Sequence, residues 1–274
     1  MSYITTRDNT QLFVKVWGTG KPVVLIHGWP LTSDSWDSVS FALANSGYKV
    51  IAYDRRGFGR SDQPWTGYDY DTLADDLADV MKATGVTGNA AIIGFSMGGG
   101  EVVRYMSRHK GANVTKAGLI SSIAPFLLKT DSNPDGVAEK DLSAMAEGIE
   151  QDRAHFMKGF LKDFYGIGLL SNPVSDEVLA WSWSMCMQAG LKPTLACAEA
   201  FAQTDFRSEM AHINVPTLVI HGTKDHTVPI DATGRPAAQA ITRATLIEYD
   251  GEPHGIIVTQ EQRLIEDLQA FLRQ

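Results

Sequence analysis

The sequence predicts an α/β protein, a mostly parallel, doubly wound sheet with a helical cap inserted over one end. Three observations carry this. Strand-like and helix-like segments alternate along both halves of the chain. One strand-to-helix junction, "AIIGFSMGGGEVV", is crowded with glycine around a single serine. Residues 125–207 break the rhythm, with no convincing strand and many Met, Trp and Phe residues, as in "LAWSWSMCMQAG". The expected division is therefore a core formed by residues 1–124 and 208–274, with a helical cap at 125–207.

The elements follow in order. "QLFVKVW" (11–17) alternates polar and apolar residues, as a half-buried edge strand would. "PVVLIHG" (22–28) and "YKVIAYD" (48–54) are rich in β-branched residues and read as buried strands. In the next segment Leu73, Leu77, Val80 and Met81 recur at helical spacing, with acids on the other face and Gly85 to close the helix. A strand at 90–94 and a helix over 100–109 come next, then strands at 116–122, 216–222 and 244–250. The last segment, 259–274, is an amphipathic helix with Leu264, Leu268 and Leu272 in register.

The chain has 274 residues, 44% hydrophobic and 20% charged, which suits one large α/β domain or a core with an inserted subdomain. A formal charge of −8 argues against nucleic acid and against anionic membrane surfaces, because phosphate binding needs clustered Lys and Arg. No run approaches the roughly 20 apolar residues of a membrane-spanning helix. The segment "MSYITTRDNT" is polar and has no apolar signal core, so a cytoplasmic protein is expected, with Cys186 and Cys197 as free thiols. No histidine cluster has metal-ligand spacing, and no G-x-G-x-x-G opens a helix after the first strand. Neither a metal nor another cofactor is expected.

Gly94-Phe95-Ser96-Met97-Gly98 fits G-x-S-x-G between a strand and a helix, the context in which a serine is presented as a nucleophile. The sharp turn strains the serine, and small residues two positions away let strand and helix pass closely. A serine hydroxyl needs a base, and the base needs an acid to orient it. His254, in "GEPHG" after the last strand, is the expected base. His27, His109, His155, His212, His221 and His226 are expected to be structural or superficial. Asp225 follows the strand "PTLVIHG", while the segment after "KAGLISS" carries no acid before Asp131, so elimination favours Asp225 as the acid. Asp205 and Glu252 are the alternatives, both expected to be solvated.

The segments "IHGWP", "YDRRGFGRSD", "GFSMGGG", "GTKDHTVP" and "GEPHG" together resemble the α/β-hydrolase superfamily over essentially the whole chain. Within it they are similar to the cofactor-free bacterial haloperoxidases, or perhydrolases, and their aryl esterase relatives. Ester hydrolysis builds negative charge on the carbonyl oxygen, and two N–H donors must receive it. Met97, after the nucleophile, is placed to supply one and Trp29 the other, with His27 and Gly28 shaping the corner. Pro30 restricts Trp29 to extended backbone angles and so aims its carbonyl. The resemblance implies that this carbonyl accepts a hydrogen bond from hydrogen peroxide or a peracid; the alternative is that Pro30 merely stiffens the loop. Trp29, Pro30, Phe95, Phe126, Trp181 and Trp183 are the candidate substrate-binding walls, although ordinary packing competes at each aromatic. Arg55, Arg56 and Arg60 are expected to be structural, with Asp54 capping a turn.

These features point to a serine hydrolase acting on small carboxylic esters or acids. The resemblance implies perhydrolysis with hydrogen peroxide, halide oxidation by the peracid, no cofactor and a homo-oligomer. Lactone and lactam hydrolysis use the same groups and stay open. Haloalkane dehalogenases and epoxide hydrolases of this fold use an aspartate nucleophile, which Ser96 replaces here. A non-catalytic ligand receptor is the remaining class, and turnover distinguishes it.

Overall fold

The computed structural model describes residues 2–169 and 171–274; residues 1 and 170 lie outside the described residues. Eight strands form one sheet: β1 (Ser2–Thr5), β2 (Gln11–Trp17), β3 (Lys21–Ile26), β4 (Tyr48–Tyr53), β5 (Ala90–Phe95), β6 (Val114–Ile120), β7 (Thr217–Gly222) and β8 (Ala244–Tyr249). Their order is β1-β2-β4-β3-β5-β6-β7-β8. Strands β4, β3, β5, β6, β7 and β8 are parallel, and β1 and β2 join antiparallel at one side. The order reverses at β3: the chain leaves it for β4 on one side and then returns to β5 on the other. Such a switch point opens a crevice at the strands' carboxyl ends.

The helices around the sheet are α1 (Asp37–Asn45), α2 (Tyr70–Ala83), α3 (Met97–Arg108), α7 (Gly234–Ala240), α8 (Ile256–Thr259) and α9 (Glu261–Arg273). The apolar stripe expected on α2 is buried, and Asp69 caps it by accepting the Thr72 N–H at 2.9 Å. Leu264, Leu268 and Leu272 of α9 pack into the core. Between β6 and β7 the chain forms α4 (Glu139–Phe164), α5 (Asp176–Gln188) and α6 (Leu191–Gln203) and, among the described residues, no strand of the sheet. Helix α4 is broken at Asp152, which leaves helical angles at φ −155° and ψ 85°; its side chain accepts the His155 N–H at 2.9 Å and restarts the helix.

Two expectations at the amino-terminal side need correction. Strand β2 is not an edge: β1 covers it, and SYIT is too short and polar to show a strand pattern. Nor is β2 half-buried in alternation, because Lys15 is buried as well, its ammonium 2.5 Å from Asp34 and also paired with Asp37. Charge pairing, not apolarity, allows that burial. The short helices α1 and α7 carry too few turns to announce themselves by periodicity.

Candidate active site

Ser96 stands between β5 and α3 with φ 54° and ψ −118°, a left-handed backbone conformation. Its N–H is held by the Ile120 carbonyl of β6 at 2.8 Å. The turn demands glycine at Gly94, where a Cβ would meet the Gly98 carbonyl oxygen at 2.1 Å. Gly28 has the same need across the crevice, since a Cβ there would lie 2.7 Å from the Phe95 ring and 3.0 Å from Ser96 Cβ.

His254, in the loop between β8 and α8, is buried with its ring beside Phe95 and Phe164, at 5.2 and 4.9 Å between centroids. Its Nε2 lies 2.9 Å from Ser96 Oγ, and its Nδ1 lies 2.6 Å from Asp225 Oδ2. The second contact places the ring proton on Nδ1, so Ser96 Oγ–H donates to Nε2. Asp225 turns directly after β7, and its Oδ1 accepts the Val228 N–H at 2.7 Å. Burial alone would raise the Asp225 carboxyl, but the His254 and His221 rings outweigh it and hold it down to about 2. Asp205 is bound to Arg207 on the surface, and Glu252 accepts from Thr259 and Gln260. Neither touches His254.

Met97 is the first residue of α3, so its N–H has no partner within the helix. Trp29 follows β3, and among the described residues no protein acceptor meets its N–H. Its indole Nε1–H donates to the Thr194 carbonyl of α6 at 3.0 Å, and its ring meets Phe160 and Phe201 edge-on. The Trp29–Pro30 peptide is cis.

A cavity of about 100 Å³ opens beside Ser96, Trp29 and His254. Its other walls are apolar and come from two sources: Ile123 and Leu127 after β6, and Leu142, Met145 and Phe160 of α4 with Phe201 of α6. Val228 and Thr227 close it near Asp225, and among the described residues Asp141 is its only carboxylate. Several expected walls are elsewhere. Phe95 lies fully buried beneath the site against Trp36 and Phe164. Phe126 is buried away from the cavity, under the Arg207 guanidinium 4.9 Å from its ring centre, while Ile123 and Leu127 line the cavity instead. Trp183 is engaged with the Ala154 carbonyl, and Trp181 on the same helix is exposed at 43%. Pro30 is buried but lines no part of the cavity. Sequence reasoning missed the walls on α4 and α6 because apolar residues there look alike whether they face the core or the cavity.

In the charged segment after β4, Asp54, Arg56 and Arg60 are tied up in hydrogen bonds and ion pairs away from Ser96. Asp54 accepts from Ser33 N–H at 2.9 Å and from the Arg60 backbone and side chain at 2.9 and 2.8 Å. Arg56 forms a two-pronged pair with Asp76, both bonds 2.6 Å. Cys186 and Cys197 are free, buried thiols pushed up to about 12 by burial. No group of His, Cys, Asp and Glu among the described residues could hold a metal ion, and no helix there is long and apolar enough to cross a membrane.

The sequence model of the alpha/beta hydrolase fold family matches residues 21–166. A non-heme chloroperoxidase of Kitasatospora aureofaciens is 40% identical over 99% of both chains. The chain belongs to the alpha/beta hydrolase family. Another relative within this family is a bifunctional esterase/perhydrolase of Acinetobacter calcoaceticus, 40% identical over the whole of both chains. Among solved alpha/beta hydrolases, a bromoperoxidase from Bacillus anthracis superposes with a TM-score of 0.96 at 38% identity, covering 100% of this chain and 99% of its own.

Proposed function

We propose that this chain is a serine esterase for small carboxylic esters that also runs as a cofactor-free perhydrolase. The observation that carries the proposal is the hydrogen-bonded line from Ser96 Oγ through His254 to Asp225, at 2.9 and 2.6 Å, set on a left-handed turn at the mouth of an apolar cavity. Ser96 Oγ attacks the ester carbonyl while His254 Nε2 takes its proton, and Asp225 steadies the imidazolium. The carbonyl electrons move onto oxygen, where the N–H groups of Trp29 and Met97 receive the charge. Collapse expels the alcohol, protonated by His254. Water then repeats the sequence on the acyl-enzyme and releases the acid. Hydrogen peroxide in place of water releases a peracid instead. The peracid oxidises bromide to hypobromous acid and leaves the carboxylate, so no metal or haem takes part in this route.

The cavity sets the acyl size. At about 100 Å³ and with mostly apolar walls, it suits a short acyl chain better than a long one. The relatives named chloroperoxidase and esterase/perhydrolase support both halves of the proposal. We further read residues 125–207 as the cap that covers the acyl pocket.

The test compares the purified protein with Ser96→Ala on p-nitrophenyl acetate, and on acetate with hydrogen peroxide and bromide, the latter read by bromination of a dye. Loss of both activities in the variant, by about 10⁴-fold or more, is expected. Retained ester turnover in Ser96→Ala would remove the nucleophile. Ester hydrolysis without bromination would leave an esterase alone.

A further inference from the structure

A buried ion pair joins the two segments that present the Trp29 and Met97 amides. Arg55, just after β4, and Glu101, in the second turn of α3, are buried to 1% and 0% exposure and form a salt bridge. Arg55 Nε–H donates to Glu101 Oε1 at 2.5 Å, and Tyr53 Oη–H donates to Oε2 at 2.8 Å. The same guanidinium reaches the other way: Nη2 donates to the His27 carbonyl at 2.6 Å, two residues before Trp29. The Arg55 backbone N–H donates to His27 Nε2 at 2.9 Å, which leaves the ring proton on Nδ1, 2.9 Å from the Gly28 carbonyl. Glu101 lies four residues beyond Met97, one helical turn along the same face. Backbones also meet here, because a Cβ at Gly98 would lie 2.6 Å from the Ile26 carbonyl oxygen and 3.0 Å from that of His27.

We propose that Arg55, clamped between Glu101 and the His27 carbonyl, is a positioning residue that sets the spacing of the Trp29 and Met97 N–H groups. An ion pair this deep contributes little net stability, since desolvating two charges offsets most of their attraction. A planar fork suits the job, because one rigid group must hold a carboxylate on one side and a carbonyl on the other. The consequence for rate rests on the esterase reading above; the geometric consequence does not.

Arg55→Lys keeps the charge that Glu101 needs but supplies no fork to span both partners. Its kcat on p-nitrophenyl acetate should fall on the order of 10- to 100-fold, as for a displaced catalytic group. KM should stay within about twofold, because the lost interaction acts in the transition state. The ¹⁵N–¹H resonance of the Trp29 amide, assigned with ¹⁵N-tryptophan against a Trp29→Phe control, should shift or broaden whether or not ester is turned over. An inert wild type whose Trp29 amide still moves in Arg55→Lys would end the esterase reading and keep the clamp. An unmoved amide with kcat within about threefold would overturn the clamp and leave a merely structural pair. If Arg55→Lys does not fold, Arg55→Met/Glu101→Gln removes both charges together, and the same two readouts support or overturn the clamp in the same way.

Discussion

The floor of the site and its roof are built on different physics. The floor, the carboxyl ends of β3, β5, β7 and β8, is held by short polar contacts and by backbone that approaches too closely for side chains. Ser96, His254 and Asp225 are each buried and each hydrogen-bonded to another element. The roof, α4 and α6, meets the cavity through apolar side chains save Asp141, with a break in α4 at Asp152 and an exposed Trp181 on neighbouring α5. Hydrogen bonds fix direction, so the floor admits few substitutions. Apolar contacts fix little beyond volume, so the roof can be reshaped while chemistry continues.

That contrast can be broken in order of expected size. Asp225→Asn should cost about 10³- to 10⁴-fold in kcat for p-nitrophenyl acetate, because the amide can hold the wrong imidazole tautomer. A rate within tenfold of wild type would mean that the floor tolerates what the contrast forbids. Gly94→Ala should lower stability by about 2–3 kcal/mol in urea unfolding, as overpacking does when backbone must move. The Gly98 carbonyl, 2.1 Å from the added Cβ, is the atom that must give way.

The roof should answer differently. Met145, together with Leu142, borders both the cavity and an outer groove between α4 and α6. Met145→Ala should therefore raise the butyrate-to-acetate ratio of kcat/KM by roughly fivefold, the worth of about one buried methylene or more. The acetate rate itself should hardly change; a collapse of that rate would show that the roof positions the chemistry too. Smallest of all, Trp181→Ala should alter stability by less than about 0.5 kcal/mol and leave the acyl preference unchanged. A larger effect would indicate that the outer face of α5 takes part in something beyond solvation.

The two regions also differed in how far they could be read in advance. The parallel strands were legible as β-branched runs, and α2 and α9 as apolar stripes at helical spacing. Ser96 was legible because a strained turn forces glycine around it, and Asp225 and His254 because each follows a strand directly. The structure puts their side chains within 2.9 Å of one another in sequence from Ser96 to Asp225. In contrast, Phe95, Phe126, Trp181 and Trp183 were drawn from composition, and none faces the cavity. Strand β1 was invisible because four residues carry almost no pattern.

By itself the sequence determined what is local: strand and helix periods, and turns that only glycine can make. These depend on residues within a few positions of one another, so spacing reveals them. Only the tertiary structure decided which apolar residues of α4 and α6 face inward. It also decided that Lys15, Arg55 and Glu101 are buried, and that Arg55 reaches both His27 and α3. A charge enters the interior only when a partner waits there, and the partner of Arg55 lies 46 residues away on another element. No local pattern encodes a meeting at that distance; the packing of the sheet against α3 creates it.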